Sequence, residues 1–383
     1  MTPSSILLVA GEASGDQLAA ELVKSLSQLC QPTPPRFFGA GGPAMAAAGV
    51  EVLVDLTANS AIGPADALRQ YSRYRRAFDL LLREASRRTP DRVVGVDFGA
   101  FNLRFAAAIR RRSGSKGPFH NWNPKVVQFV SPQVWASRPG RAQEIARNHD
   151  LLLSILPFEK DWYSRHAPKV PVRFVGHPIV DRHGRLPEAP STENVGHRNL
   201  LLLPGSRPGE LRRHWACVAG AAQMLRRSTG IQPVLVLPSE TARAWIPADV
   251  SPPEGLRIRI GGLGEELRQA AVAIASTGTV TLECAWFGVP TVALYRTSWS
   301  TYQIGKRIIQ VPFLALPNLL AGKSVFPEFI QDAATPEAVA DAALDWLRNP
   351  ECHRRTVEEL SRLRESLGTP GACRRAAEAI LET

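Results

Sequence analysis

Three short loops carry the residue types from which an anion-binding, group-transfer site can be built. Gly11-Glu-Ala-Ser-Gly-Asp16, with Glu12 and Ser14 at its centre, lies between an apolar run over 5–10 and an amphipathic stretch over 17–29. Glycines and a small hydroxyl at a helix start leave backbone N–H groups open, and the helix dipole favours a negative ligand there. The spacing is not G-x-G-x-x-G, so a dinucleotide cofactor is not indicated. The alternative is a tight turn in which Asp16 caps the helix. Pro204-Gly-Ser-Arg207 and Ser276-Thr277-Gly278-Thr279 repeat the pattern, the second opening a helix that carries Glu283. Such loops can cradle a diphosphate, and Arg207 can offset charge that develops on a departing phosphate, with no metal required. Each alone also reads as ordinary capping; two in one domain favour a nucleotide site.

Other candidates stay open on the residues alone. Ser131-Pro-Gln-Val-Trp135 followed by Arg138, Arg141 and Arg147 is either an aromatic and basic wall for a phosphorylated substrate or a packed tryptophan beside a solvated helix. His177, in Gly176-His-Pro178, is either an acid–base residue or a structural hydrogen-bonding one. The five cysteines are scattered, without a C-x-x-C pair or histidines at metal-ligand spacing, and read as free thiols. The formal charge of +11 suits anionic partners: nucleic acid, lipid headgroups or phosphorylated substrates. No apolar run approaches the roughly 20 residues that cross a bilayer, and the start lacks a basic leader, so a cytoplasmic protein is expected.

The elements that must position these loops recur as strand–loop–helix units. Apolar runs over 5–10, 92–96, 125–130 and 151–155 alternate with helical patterns over 17–29, 103–112 and 141–147. Periodicity is lost over 182–198, a polar, proline-bearing linker, and restarts with strands over 199–203, 233–237, 272–275 and 290–295, a helix over 209–227, and helices from Pro336 onward. The expectation is an α/β protein of two Rossmann-like parallel-sheet domains facing a cleft, 1–181 and 199–383, the second with a helical C-terminal region.

The ordered motifs resemble those of the lipid-A-disaccharide synthase family. The match runs through Ala10–Asp16, Gly39-Ala-Gly-Gly-Pro43, Phe129–Trp135 with Arg138-Pro-Gly-Arg141, Leu156-Pro-Phe-Glu159 and Phe174-Val-Gly-His-Pro178. It continues through Leu203-Pro-Gly-Ser-Arg207, Ser276-Thr-Gly-Thr-Val-Thr-Leu-Glu283, Tyr295-Arg296, Leu316-Pro-Asn-Leu-Leu-Ala-Gly322 and Ala334-Thr-Pro-Glu337. The resemblance implies a B-type inverting glycosyltransferase joining UDP-2,3-diacylglucosamine to 2,3-diacylglucosamine 1-phosphate, with release of UDP and a β-1,6 disaccharide 1-phosphate. It places the acceptor on the first domain, near Ser14, Asn102, Trp135, Arg138 and His177. The donor falls to the second, through Arg207, Ser276, Thr277, Gly278, Thr279, Glu283 and Asn318.

The UDP-sugar is then a substrate; no cofactor, metal or nucleic acid is implied. A homodimer and peripheral attachment to the inner face of the cytoplasmic membrane are. Another UDP-sugar transferase or 2-epimerase of the same fold, or a relative that binds without turnover, is the alternative. Two departures stand out. The family's Asp-x-Pro-Asp-Phe-Asn is here Asp97-Phe-Gly-Ala100-Phe-Asn102, so the second aspartate, a leading candidate for the general base, is missing, and Asp97 or Glu12 is expected to take the proton. The family's more apolar near-membrane segment is replaced over 62–76 by a basic one, so Arg69, Arg73, Arg75 and Arg76 with Tyr71 and Tyr74 are expected at the membrane surface.

Overall fold

A computed structural model describes residues 3–57, 64–113, 122–184 and 199–383, with the side chains of 64–71 excluded. The chain divides into two compact units, residues 1–182 with 367–383, and residues 183–366.

The first unit begins β1 (Ser5–Ala10), α1 (Ala13–Leu29), β2 (Arg36–Gly41), α2 (Pro43–Ala47), β3 (Glu51–Asp55), α3 (Pro64–Arg88), β4 (Arg92–Val96) and α4 (Gly99–Ser113). It continues β5 (Lys125–Phe129), α5 (Val134–Ser137), α6 (Ala142–Asn148), β6 (Leu151–Ser154), α7 (Glu159–His166), β7 (Val172–Phe174) and α8 (Ile179–His183). Its seven strands form a parallel sheet in the order β3-β2-β1-β4-β5-β6-β7. The strand order reverses between β1 and β4, the position at which such sheets open a crevice beyond their carboxyl ends.

Helices cover both faces, so the central strands are continuous apolar runs rather than alternating ones. Ile6 to Ala10 are wholly buried. Leu18, Leu22 and Leu26 of α1, at i, i+4 and i+8, pack on one face of the sheet; Leu81 and Ala85 of α3 with Phe105 and Ile109 of α4 pack on the other. The strand β2 escapes a pattern search because Arg36-Phe-Phe-Gly-Ala-Gly41 is glycine-rich, and the reason is steric. A Cβ at Gly39 would stand 1.9 Å from the Leu8 carbonyl oxygen of the neighbouring strand.

The second unit runs β8 (Asn199–Leu203), α9 (Pro208–Thr229), β9 (Gln232–Leu237), α10 (Glu240–Arg243), β10 (Arg257–Ile260), α11 (Leu263–Arg268), β11 (Ala270–Ser276) and α12 (Thr279–Trp286). It ends β12 (Thr291–Tyr295), α13 (Trp299–Ile308), α14 (Leu316–Ala321), β13 (Glu328–Ile330), α15 (Pro336–Arg348) and α16 (Pro350–Ser366). The sheet order β10-β9-β8-β11-β12-β13 again reverses beside its first strand, between β8 and β11. Helix boundaries follow local chemistry. Pro208 opens α9 and left-handed Gly230 closes it, while the Thr335 hydroxyl accepts from the Ala338 N–H ahead of α15.

The last helix, α17 (Ala372–Glu382), departs from the sequence-based division, which kept 199–383 together. Cys373, Ala376, Ala377, Ala379 and Ile380 enter the core of the first unit beside Leu18, Leu22 and Leu26. Asp181 caps the helix, its carboxylate accepting from the N–H groups of Gly371 and Ala372, and Arg92 donates to the Ile380 carbonyl at 2.8 Å. An amphipathic helix states that it needs a partner, not which sheet supplies it. Residues 185–198 of the expected linker lie outside the described residues. Ile380 is fully buried, so Ile380→Ala should cost about 2–5 kcal/mol of first-unit stability in chemical denaturation. Unchanged stability would detach α17 from that core.

Candidate active site

In the first unit the loop after β1 packs directly on the loop after β4. A Cβ at Gly11 would meet the Phe98 ring at 2.3 Å, so this glycine lets the turns approach, whereas one at Gly15 would stand in ordinary contact, 3.7 Å from the Asp97 Cβ. Asp97 and Phe98 both take left-handed backbone angles, φ 50° and 49°, at the carboxyl end of β4. Two amides hold this turn. Asn102 donates to the Asp97 carbonyl at 2.8 Å and to the Val9 carbonyl at 3.2 Å, and Gln128 donates to the same Asp97 carbonyl at 2.9 Å.

The Asp97 carboxyl is pushed above its ordinary range, first by burial and then by the negative charge of Glu12, against an opposing hydrogen bond from the Phe98 backbone. A carboxylate so raised is a stronger base than an exposed one. Glu12 and Ser14 are exposed beside it, and Ala100 is exposed on the first turn of α4. Asp97 and Glu12 are thus brought together. Asn102, 2 % exposed, braces the turn from behind.

Asp16 does not serve the anion loop. Its buried carboxylate accepts from the N–H groups of Gly42 (2.7 Å), Ala44 (2.9 Å) and Met45 (3.1 Å), which caps α2 rather than α1. His177 is likewise structural. Its Nδ1 accepts from the Ile179 N–H at 3.1 Å, and burial and then Arg182 drive the imidazole pKa down to about 3, so the ring stays neutral. Trp135 is buried and edge-on to Phe158, with its indole N–H given to Glu159 Oε1 at 3.0 Å; it is a brace, not a wall, while Arg138 is exposed beside it. Tyr74 turns inward against Phe98 and Phe101 instead of outward. Arg75 and Arg76 are exposed, Arg73 donates to the Asp55 carbonyl, and the side chains of Arg69 and Tyr71 lie outside the described residues.

In the second unit the loops after β8, β11 and β12 meet at the strand ends. Gly205 takes φ 126°, and a Cβ there would strike Glu210 Oε2 at 2.4 Å. That carboxylate accepts from the Ser206 N–H at 3.2 Å and lies 3.7 Å from Arg207. A side-chain anion therefore occupies the entrance of α9, where the helix dipole favours negative charge. His214, absent from the candidates read from sequence, ties this loop to the next. Nδ1 donates to the Pro204 carbonyl at 2.6 Å and Nε2 accepts from the Arg296 N–H at 2.9 Å, so the buried ring is neutral with a fixed tautomer, consistent with burial lowering its pKa.

Ser276 is buried, Thr277 and Gly278 half-exposed and Thr279 exposed. Gly278, at φ 146°, opens α12, and no atom stands within 4 Å of where its Cβ would be. Glu283 lies one turn into α12 with His183 Nε2 3.9 Å away. Asn318 does not reach this group. Its amide gives two hydrogen bonds, to Phe326 O and Glu328 Oε1, and accepts two, from Val325 N and Phe326 N, all at 2.7–2.8 Å, which exhausts its capacity in shaping the turn before β13. Beside the strand ends a cavity of about 410 Å³ is lined by Arg213, Arg296, Thr297, Trp299, Tyr302, Gln303, Gln331 and Asp332. Among the described residues no cluster of three or more His, Cys, Asp or Glu side chains is disposed to hold a metal.

These loops are the ones by which the sequence resembled a family, and a family model described as lipid-A-disaccharide synthetase matches residues 6–383. The chain belongs to that family. It is 38% identical over 390 residues to a lipid-A-disaccharide synthase of Geobacter metallireducens, covering 98% of this chain and 96% of that one. It is 36% identical over 388 residues to one of Myxococcus xanthus, covering 99% and 97%. Among solved structures the chain resembles a putative UDP-N-acetylglucosamine 2-epimerase of Listeria monocytogenes, with TM-score 0.62 and 16% identity over 98% and 95% of the two chains. The calicheamicin glycosyltransferase CalG4 gives TM-score 0.59 and 17% identity over 100% and 99%. At such identities these two neighbours establish the fold, that of B-type glycosyltransferases and epimerases, and not the reaction.

The family chain also carries a feature for which sequence offered only the string Leu156-Pro-Phe-Glu159. Glu159 is 1 % exposed, and burial raises its carboxyl to about 7, against hydrogen bonds from Trp135, Leu156 and Ser131. Folded Glu159 binds its proton more tightly than unfolded Glu159, so its stabilising contribution is full below the ordinary value of 4.5 and is lost as pH rises through about 7. The difference corresponds to about 3 kcal/mol. Melting of Glu159→Gln should accordingly lose most of the decline that the parent shows between those two pH values. An equally steep decline in the variant would remove Glu159 as its source.

Proposed function

We propose that this chain is a lipid-A-disaccharide synthase: it transfers 2,3-diacylglucosamine from its UDP derivative to the 6-hydroxyl of 2,3-diacylglucosamine 1-phosphate. The observation that carries the reading is the family match over 6–383, with relatives of that activity at 34–38% identity along the whole chain. The site geometry supports how the work is divided. On the second unit, Arg207, the 276–279 loop and the start of α12 take the diphosphate, and Glu283 accepts from ribose hydroxyls. On the first, Asp97 takes the proton of the attacking hydroxyl with Glu12 beside it. The hydroxyl oxygen forms its bond to the anomeric carbon as the bond from that carbon to the UDP oxygen breaks. The electron pair leaves on UDP, where positive loop potential stabilises it, and the configuration at carbon inverts.

The same reading makes the reaction independent of metal and cofactor. It places the protein peripherally on the inner face of the cytoplasmic membrane, where its acylated substrates reside, with the exposed Arg75 and Arg76 toward anionic headgroups. A homodimer fits it as well.

With both acylated substrates and excess chelator, the protein should release UDP and disaccharide 1-phosphate in equal amounts. Arg207→Ala and Thr279→Val should raise the donor KM about tenfold or more, as loss of a charge-assisted contact does. Dependence on added magnesium, epimerisation of UDP-N-acetylglucosamine, or unchanged donor KM in both variants would each overturn the corresponding part.

A further inference from the structure

No residue of the helix α13 in the second unit is buried. Five large apolar side chains stand exposed among the described residues, and three of them fall here, Trp299 at 75%, Ile304 at 59% and Ile309, just past the helix end, at 42%. The packed side is Tyr302, Gly305 and Ile308, half-buried at i, i+3 and i+6. Ser300, Ile304 and Arg307, at i, i+4 and i+7, share an open side, with Lys306 exposed next to them. Ser298 fixes the start of the helix by accepting from the Thr301 N–H. Exposed apolar side chains concentrated on one short helix mark a surface that meets something.

Charge indicates what it meets. No Asp or Glu occurs between Glu283 and Glu328, a stretch that holds Arg296, Lys306, Arg307 and Lys323. Trp299 and Tyr302 line the same cavity as Arg296 and Arg213, which adds one more guanidinium beside the helix, with Asp332 the acidic side chain among the described lining residues. A tryptophan and isoleucines interleaved with lysine and arginine form the pattern of a helix lying in a lipid headgroup boundary.

We propose that α13 is an interfacial helix that seats the second unit on an anionic lipid surface, Trp299, Ile304 and Ile309 entering the acyl boundary while Lys306 and Arg307 meet lipid phosphates. The proposal rests on the membrane-surface reading of the function and assigns it to a segment of the second unit, independent of the basic helix α3 in the first. Ten helical residues give a shallow, reversible and salt-sensitive contact.

Flotation of the purified full-length protein with vesicles of phosphatidylcholine, with and without phosphatidylglycerol, tests it. The parent protein should float with the anionic vesicles and be released by salt. Ile304→Ser with Ile309→Ser, and separately Lys306→Glu with Arg307→Glu, should each lower the vesicle partition coefficient about tenfold, a loss of about 1.4 kcal/mol, while turnover on detergent-dispersed substrates stays at the parent rate. Brominated-chain lipid should quench fluorescence of the parent more than that of Trp299→Phe. If the α13 variants float like the parent while Arg75→Ala with Arg76→Ala does not, the α13 assignment fails and the membrane reading stands; if the parent itself fails to float, both fail. A change of oligomeric state in the isoleucine variant with flotation intact would make α13 a protein contact and overturn the proposal.

Discussion

Two consecutive left-handed residues can persist at the end of β4 only because one carbonyl is gripped from two sides. Each residue with side chain in that region costs on the order of 1–3 kcal/mol unless its surroundings determine it, and here Asn102 and Gln128 both donate to the Asp97 carbonyl. Gln128 comes from β5 and Asn102 from α4, while Asn102 also donates to Val9 of β1. The grip therefore links three neighbouring strands at the position where the strand order reverses. Gly11 of the first loop completes the constraint by leaving room for the Phe98 ring. The carboxyl that results is partly buried, raised and next to Glu12.

The second unit solves the same positioning task through a neutral imidazole. His214 holds the Pro204 carbonyl with one nitrogen and the Arg296 N–H with the other, so the loops after β8 and β12 cannot shift separately. Its pKa, lowered by burial, keeps the ring in the neutral form that the pairing needs. Around that bracket stand the groups suited to a diphosphate: Arg207, the open Gly278 turn and the hydroxyl of Thr279. Neutral braces inside with cations at the rim are an economical way to build positive potential, since buried charge without a partner is costly.

What the sequence reveals and hides follows from range. Strands such as 5–10 and 199–203 are legible because burial on both faces demands unbroken apolar runs, and the loops after them because glycine and hydroxyl residues punctuate strand-to-helix turns. Asp97 is singled out only by the family motif that the segment after its strand resembles. Roles set by contacts distant in sequence are hidden: Trp135 as the donor to Glu159, Asp16 as the cap of another helix, His214 as a bracket 82 residues from Arg296, and α17 as a member of the first core. Asn318 shows the converse. Its place in a distinctive motif suggested ligand contact, and its four internal hydrogen bonds show that the motif shapes a turn.

The substitution Asp97→Asn addresses the central proposal, that the carboxyl at this turn takes the proton although residue 100 is alanine. Asparagine preserves the shape and the main-chain carbonyl that Asn102 and Gln128 hold, and removes only the base. Steady-state turnover of this variant should fall by about 10² to 10⁴ with the affinity for UDP unchanged. A parent protein that is inert until Ala100→Asp is introduced, or an Asp97→Asn variant that turns over at the parent rate, would contradict it.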